Sequence, residues 1–186
     1  MVPEAPLEQT EHGLVPAGKG WFVLNAHDAR WNDRPGRRSV SFTGRTEYEA
    51  ETYFPQLGAN LVVIEPGVAN SVYHWETEQE AFLVLSGEAL LIVEGEERTL
   101  RPWDFVHLPP ETNHVLVGAG ETPCVVLAMS SREFQAKGPW GWYTANEVAR
   151  RHGASPAGDT QETEEAYAEW PASEPSRYRD GWLPDA

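Results

Sequence analysis

The sequence has a single cysteine, few basic residues and no long apolar run. Because Cys124 is the only cysteine, no disulfide can form within the chain, and a packed core has to hold the fold. No apolar run approaches the ~18 residues that a membrane-spanning helix needs. Lysine and arginine total 14 against 29 acidic residues, which gives a net charge of −15. Such an acidic surface repels phosphates, so we expect neither nucleic acid nor membrane as a partner.

The rest of the composition is typical of a globular protein. Apolar residues make up 40% and charged residues 23% of the 186 positions, enough for one domain with a sizeable core. The first residues, MVPEAPLEQTEHG, lack the cationic stretch and apolar segment of a secretory signal. We therefore expect a cytoplasmic protein.

Three zones differ along the chain. Residues 1–58 are polar and form an arm with one or two strands that join a barrel: one strand is predicted in GWFVLNA, and residues 27–52 are predicted to be a loop with at most one more. Residues 59–130 hold short runs rich in Val, Leu, Ile and Phe, bounded by turn residues. Such runs favour an antiparallel sandwich or barrel, and VEGEER predicts a tight hairpin around Gly95.

Residues 131–186 are predicted to form a C-terminal arm that is rich in aromatic residues. TANEVARRHG predicts a short helix with Thr144 as its N-cap and Gly153 just past its end. DTQETEEAYAEWP predicts a second helix that Pro171 ends. Since a disordered tail is poor in aromatic residues and this zone has several tryptophans, we expect the arm to pack on the barrel or on a partner subunit.

Histidines and glutamates interrupt the apolar strands of the central zone. In YHWETEQEAFLVLSGE, His74 and Glu76 lie two residues apart and so share one face of a strand. If TEQ is a turn between adjacent strands, Glu80 returns to the same pocket, and His114 begins another strand after a Pro-Pro turn. Two imidazoles and one or two carboxylates are a set that binds divalent metals. The alternative is that the histidines are hydrogen-bonded core or rim residues.

The span from Gly67 to Gly118 resembles the two sequence motifs of the cupin superfamily. The first motif is a glycine, a His-x-His, a Glu and a Gly, and the residues at these positions are Gly67, His74, Glu76, Glu80 and Gly87. The second runs from a glycine through a proline and a second glycine to a histidine, and the residues here are Trp103, Pro109, Glu111 and His114.

Several positions depart from the cupin pattern. Glu76 stands where the second histidine of the first motif is expected. Trp103 and Glu111 stand where the second motif has glycines, and Gly67 lies one residue further from His74 than usual. The spacings between the motif positions otherwise agree.

The resemblance implies an all-β, cupin-type jelly-roll barrel with an N-terminal strand extension and a short helical C-terminal arm. It also implies a homodimer that holds one divalent metal ion (Zn, Mn, Fe or Ni) and a small-molecule ligand. Cupins use three histidines and one glutamate, so the implied ligands are His74, Glu80 and His114, with Glu76 in the altered place. Glu76 has three interpretations: a fourth ligand, a general base beside the metal, or part of a site that no longer binds metal.

The implied function is that of a metal-binding cupin that acts on, or binds, a small oxygenated organic molecule. Isomerase, dioxygenase and lyase chemistry all fit, and the fold does not choose among them. The alternatives are a non-catalytic binding module and a structural barrel that serves for dimerisation.

Other polar residues have simpler interpretations. His107 is expected at the rim, and Cys124 as a small buried residue, with a catalytic thiol as its alternative. Glu78 and Gln79 are expected in a solvated turn. RPGRR, residues 34–38, is expected to be a solvated loop, or else a docking point for a substrate carboxylate or phosphate. Surface positions are expected for His12, His27 and His152, and packing positions away from the site for Tyr73 and Trp75.

Overall fold

The computed structural model describes residues 1–43, 56–132 and 139–184. Strands dominate these ranges. The first nine are β1 (Leu7–Thr10), β2 (Gly13–Pro16), β3 (Trp31–Arg34), β4 (Arg37–Ser41), β5 (Leu57–Ile64), β6 (His74–Glu76), β7 (Glu80–Ser86), β8 (Glu88–Val93) and β9 (Glu96–Leu100). They are followed by β10 (Phe105–Leu108), β11 (His114–Ala119), β12 (Cys124–Ser131), β13 (Gly141–Tyr143), α1 (Glu147–Arg151), α2 (Thr163–Ala166) and β14 (Glu174–Ser176).

Two antiparallel sheets form the body of the molecule. One has the strand order β10-β7-β12-β5-β4-β3-β14, and the other has the order β13-β6-β11-β8-β9. Val62, Phe82, Leu91, Leu116 and Val126 belong to one buried apolar cluster, although they come from both sheets. The alternation of buried and exposed positions along these strands therefore closes a core between the sheets, as a jelly roll requires.

The turn chemistry of the central zone agrees with the sequence. Val93 pairs with Glu96, so Glu94 and Gly95 alone form the loop of the β8–β9 hairpin, and both have positive φ (48° and 75°). This is the backbone that two-residue hairpin loops prefer, and it is why glycine follows Glu94. The predicted hairpin around Gly95 is confirmed.

The N-terminal zone differs from its prediction. GWFVLNA is not a strand: within it only Trp21 forms an isolated bridge, to Glu4, because none of the described strands runs alongside the rest. Two strands, β3 and β4, lie where a loop with at most one strand was expected, and both join the larger sheet. Residues 44–52 of that expected loop lie outside the described residues. The division at residues 58 and 130 stays a prediction.

The basic stretch at residues 34–38 is structural rather than solvated. Arg34 is buried, and its guanidinium donates to the carbonyls of Ala69 (2.7 Å) and Asn70 (3.0 Å). The same group lies 4.5 Å from the centroid of the Trp170 ring. Burial lowers the pKa of Arg34. The solvated-loop expectation was wrong because this cation joins β3, the barrel and the C-terminal arm.

The C-terminal arm packs on the barrel, as its aromatic content predicted. Trp182 lies against Trp31 with ring centroids 5.3 Å apart, in an apolar cluster on the larger sheet. Trp170 packs with Tyr167, 5.2 Å away. No described helix is long and apolar enough to cross a membrane.

The helices of the arm are shorter than predicted and capped differently. Asn146, not Thr144, caps α1, because its side chain accepts from the backbone N–H groups of Val148 and Ala149. The Thr144 hydroxyl instead donates to Asn113 at 2.6 Å. Gly153 lies just past the helix with φ of 65°, as expected. The second helix, α2, has four residues and ends several positions before Pro171.

Candidate metal centre

The two sheets bring His74, Glu80 and His114 together. His74 begins β6 and pairs directly with His114, the first residue of β11. Glu80 begins β7 in the opposite sheet and reaches the same space. One ligand atom from each of the three residues lies within 4.8 Å of the other two. The predicted cluster therefore forms across both sheets, and the two imidazole centroids are 4.9 Å apart.

Backbone carbonyls fix the orientation of both imidazoles. His74 Nδ1 lies 2.7 Å from the Val72 carbonyl oxygen, and His114 Nδ1 lies 2.9 Å from that of Thr112. A carbonyl oxygen only accepts, so each Nδ1 carries the hydrogen. In the neutral ring this leaves the Nε2 lone pair free for a metal, which is the usual arrangement of a ligating histidine.

The free lone pairs face carboxylates. His114 Nε2 lies 3.1 Å from Glu80 Oε2, and both groups are nearly buried. Two acceptors at this distance repel each other unless a proton or a cation lies between them. A divalent metal held by two imidazoles and a carboxylate satisfies all three groups at once, so the residues present fit such an ion.

Glu76 lies beside this group rather than within it. Its Oε1 is 3.6 Å from His74 Nε2, and among the described residues only His74, Glu80 and His114 form the compact metal-ligating group. Burial, and then the negative charge of Glu80, raise the pKa of Glu76. The roles of all four residues stay predictions.

The pKa values of Glu80 and His74 are shifted by the contacts within this group of side chains. Burial opposes the charge on Glu80, but the side-chain contact with His114 outweighs burial and lowers the pKa of Glu80. Burial likewise opposes the charge on His74, but the contact with Glu76 and the charges of Glu80 and Glu76 leave the pKa of His74 raised. The two carboxylates therefore have opposite tendencies: Glu80 favours its charged form and Glu76 its neutral form.

Most other expectations about polar residues hold. His107 is exposed on β10. Cys124 is fully buried, and burial raises its pKa to about 11, which argues against a catalytic thiol. Gln79 is exposed, but Glu78 is 2% exposed and accepts a hydrogen bond from the Ser131 hydroxyl. The solvated position expected for Glu78 was wrong because β12 passes over it.

The two missing glycines of the second motif leave a backbone trace. Trp103 has φ of 75° and Glu111 has φ of 65°. These are left-handed values, which side chains other than glycine adopt at a cost. The backbone therefore keeps a left-handed turn at each of the two positions where the motif has a glycine, although this chain has Trp103 and Glu111 there.

Sequence reasoning did not find Trp140 and Tyr143 as neighbours of the site. The His74 ring lies 5.8 Å from the centroid of each. Burial, and then the neighbouring Tyr167, raise the pKa of Tyr143 well above its ordinary range. The abundance of tryptophan in the arm was the only signal, and it does not say which ring faces which strand.

Comparisons with known proteins agree with this architecture. The family model described as "Cupin domain" matches residues 60–130. An uncharacterised protein of Methanocaldococcus jannaschii is 24% identical over 68 residues, which are 37% of this chain and 54% of that protein. The chain thus spans about half the length of that curated relative.

Solved structures are similar over just over half of the chain. One is described as a sugar phosphate isomerase from a cupin superfamily, from Silicibacter pomeroyi: 27% identity, 58% of this chain, 64% of that chain, TM-score 0.45. Another is KdgF from Halomonas sp.: 24% identity, 57% of this chain, 91% of that chain, TM-score 0.45. The cupin-type jelly-roll prediction is confirmed by the family match and the two antiparallel sheets. Residues 60–130 of the chain are therefore a cupin domain.

Proposed function

We propose that this cupin is a divalent-metal-dependent enzyme that moves a proton on a small oxygenated molecule. The ligands are His74, Glu80 and His114, and Glu76 is the general base. The observation that carries the proposal is the buried group of two imidazoles and a carboxylate, with Nε2 of His114 3.1 Å from Glu80. Zn, Mn, Fe and Ni all suit this donor set.

When bound, the metal supplies positive charge that polarises a carbonyl or hydroxyl oxygen of the ligand. The chain's own residues provide the rest. The carbonyls of Val72 and Thr112 hold the imidazoles with Nε2 facing the site. Glu80 supplies the carboxylate ligand, because its lowered pKa favours the charged form of the side chain.

Glu76 is placed to take a proton. It is held against His74 but stands outside the compact ligand group. In the metal-free protein, burial and the negative charge of Glu80 raise the pKa of Glu76, which favours uptake of a proton by this carboxylate. The competing interpretation, Glu76 as a fourth metal ligand, predicts that the metal is lost when its charge is removed.

The charges of the site favour a neutral ligand. When Glu76 is deprotonated and ready to act as the base, Glu76 and Glu80 together offset the charge of a divalent ion, and the whole chain carries −15. An anionic substrate would meet net repulsion, whereas an α-hydroxycarbonyl offers two neutral oxygens to the metal. In such a molecule the hydrogen on the carbinol carbon is acidic. Glu76 would take that proton, the C–H electron pair would form an enediolate, and the hydroxyl proton would pass to the former carbonyl oxygen. Return of the proton from Glu76 to the neighbouring carbon would complete an isomerisation with no net gain or loss of protons.

Proton exchange tests this proposal directly. Metal-loaded protein is incubated with hydroxyacetone in D₂O, and loss of the CH₂ signal is followed by proton NMR. We expect exchange with the wild type. For Glu76→Gln, which keeps the shape of the side chain but removes the base, we expect the exchange rate to fall by at least about 100-fold. Glu88→Gln, at an exposed position, is the control.

Two results would contradict the proposed roles. Loss of the bound metal in Glu76→Gln would make Glu76 a ligand rather than a base. Absence of exchange in metal-loaded wild-type protein would favour the non-catalytic binding module over the enzyme.

We also propose a cytoplasmic homodimer. Trp103 is 74% and Phe105 61% exposed, and β10 is the last of the described strands at one side of the larger sheet, so a partner copy would cover an exposed apolar edge. The free, unpaired Cys124 is compatible with a reducing compartment. Light scattering is expected to give twice the chain mass, and Phe105→Glu to give one chain mass; a monomeric wild type would contradict the dimer.

A further inference from the structure

Strand β13 of the C-terminal arm lies directly beside the strand that carries His74 and Glu76. Gly141 pairs with Glu76, and Tyr143 pairs with His74. The strands approach so closely at Gly141 that a Cβ there would lie 2.1 Å from the Trp75 carbonyl oxygen. An element outside the matched cupin domain therefore borders the candidate site.

The backbone of Trp140 is anchored next to the site. Its carbonyl accepts from the Thr77 backbone N–H at 2.8 Å and from the Thr77 hydroxyl at 3.1 Å. Thr77 follows Glu76 immediately, so the anchor lies one residue beyond the proposed base. These two hydrogen bonds fix the backbone position from which the Trp140 side chain extends.

The rings of Trp140 and Tyr143 form a wall beside His74. Their centroids are 4.9 Å apart in an edge-to-face arrangement, and each lies 5.8 Å from the His74 ring. Tyr143 is buried, and its hydroxyl is 3.4 Å from that of Thr163, so it backs the wall. Trp140 is only half-buried and keeps surface that a ligand can cover.

We propose that Trp140 determines specificity, by favouring ligands that carry a flat ring or another apolar face beside their metal-binding oxygens. This inference rests on the proposed function, since the oxygen pair is what brings such a ligand to the metal. An indole face gains contact area from a ring or a row of C–H groups, and gains little from a small polar molecule.

Matched probes test this inference. Hydroxyacetone and 2-hydroxyacetophenone share the same α-hydroxyketone oxygens and differ in a methyl group against a phenyl ring. Binding of each to Ni²⁺-loaded protein is measured by calorimetry, after the Ni²⁺ affinity of every variant has been determined. The variants are Trp140→Ala, Trp140→Phe and the control Trp142→Ala. Trp142 pairs with Trp75, so its side chain lies on the face of β13 opposite to that of Tyr143.

We expect the wild type to prefer the phenyl probe and Trp140→Ala to lose about five-fold or more of its affinity for that probe. Hydroxyacetone and Ni²⁺ affinities should stay within about two-fold, Trp140→Phe should keep most of the preference, and Trp142→Ala should keep all of it. Equal losses for both probes, or none, would overturn the role of Trp140 while leaving the proposed function intact. Failure of the Ni²⁺-loaded wild type to bind either probe would overturn both.

Discussion

The cupin domain, residues 60–130, and the C-terminal arm, residues 139–184, supply different kinds of group to one place. The domain supplies the polar side chains, and each imidazole is oriented by a carbonyl only two residues away. The arm supplies aromatic rings, and contacts with distant parts of the chain hold them in place. The orientation of the imidazoles is therefore set by neighbouring residues in the sequence, whereas the shape of the space beside them depends on long-range packing.

The largest effect should come from the domain's own ligands. His74→Ala and His114→Ala each remove one of the nitrogen donors, and we expect Ni²⁺ affinity by calorimetry to fall by at least about 100-fold. His107→Ala removes an exposed imidazole from β10 and should leave the affinity unchanged. Unaltered Ni²⁺ affinity in both site variants would place the metal elsewhere and would contradict the role of the domain's histidines as ligands.

The next largest effect is expected where the C-terminal arm contacts the domain through Arg34. Arg34→Ala removes two hydrogen bonds to buried carbonyls and the contact with Trp170. We expect the free energy of unfolding in urea to fall by about 2–3 kcal/mol. Arg101→Ala, at an exposed position, should cost below about 0.5 kcal/mol. Equal costs for the two variants would show that the arm does not depend on this cation.

A smaller effect, of opposite sign, is expected within the domain. In the Phe105→Glu background, which is expected to be monomeric, Trp103→Gly and Glu111→Gly relieve left-handed backbone at exposed positions, so each should raise the free energy of unfolding by about 0.5–1 kcal/mol. Gly95→Ala, at φ of 75°, is the matched control and should lower it by a similar amount. A loss of stability in both glycine variants would mean that these side chains make contacts worth more than the strain.

The fold of the domain and the proximity of His74, Glu80 and His114 could be predicted because their signals are local. Two-residue alternation places His74 and Glu76 on one face, and turn residues mark where strands end. GWFVLNA has the same apolar character but forms no strand, since a strand needs a neighbour and the sequence does not say whether one runs alongside. Apolar runs together with turn residues and motif spacings therefore predicted the strands of the domain well, whereas an apolar run alone predicted the N-terminal arm poorly.

The errors in the C-terminal arm have the same origin. Thr144 and Asn146 are both good N-caps, and the choice was decided by Asn113, 31 residues before Thr144, which takes the Thr144 hydroxyl. Trp140 lies at the site only because β13 pairs with β6, a register between distant segments. Residue types predicted that the arm packs, but not which ring would meet His74.

Anomalous X-ray scattering is the most direct measurement of the central claim. Crystals grown with Mn²⁺ or Zn²⁺ would be measured on both sides of the metal's absorption edge. We expect one strong peak per chain, bounded by Nε2 of His74, Nε2 of His114 and the carboxylate of Glu80. A peak at another place, or none between these three groups at saturating metal, would contradict it.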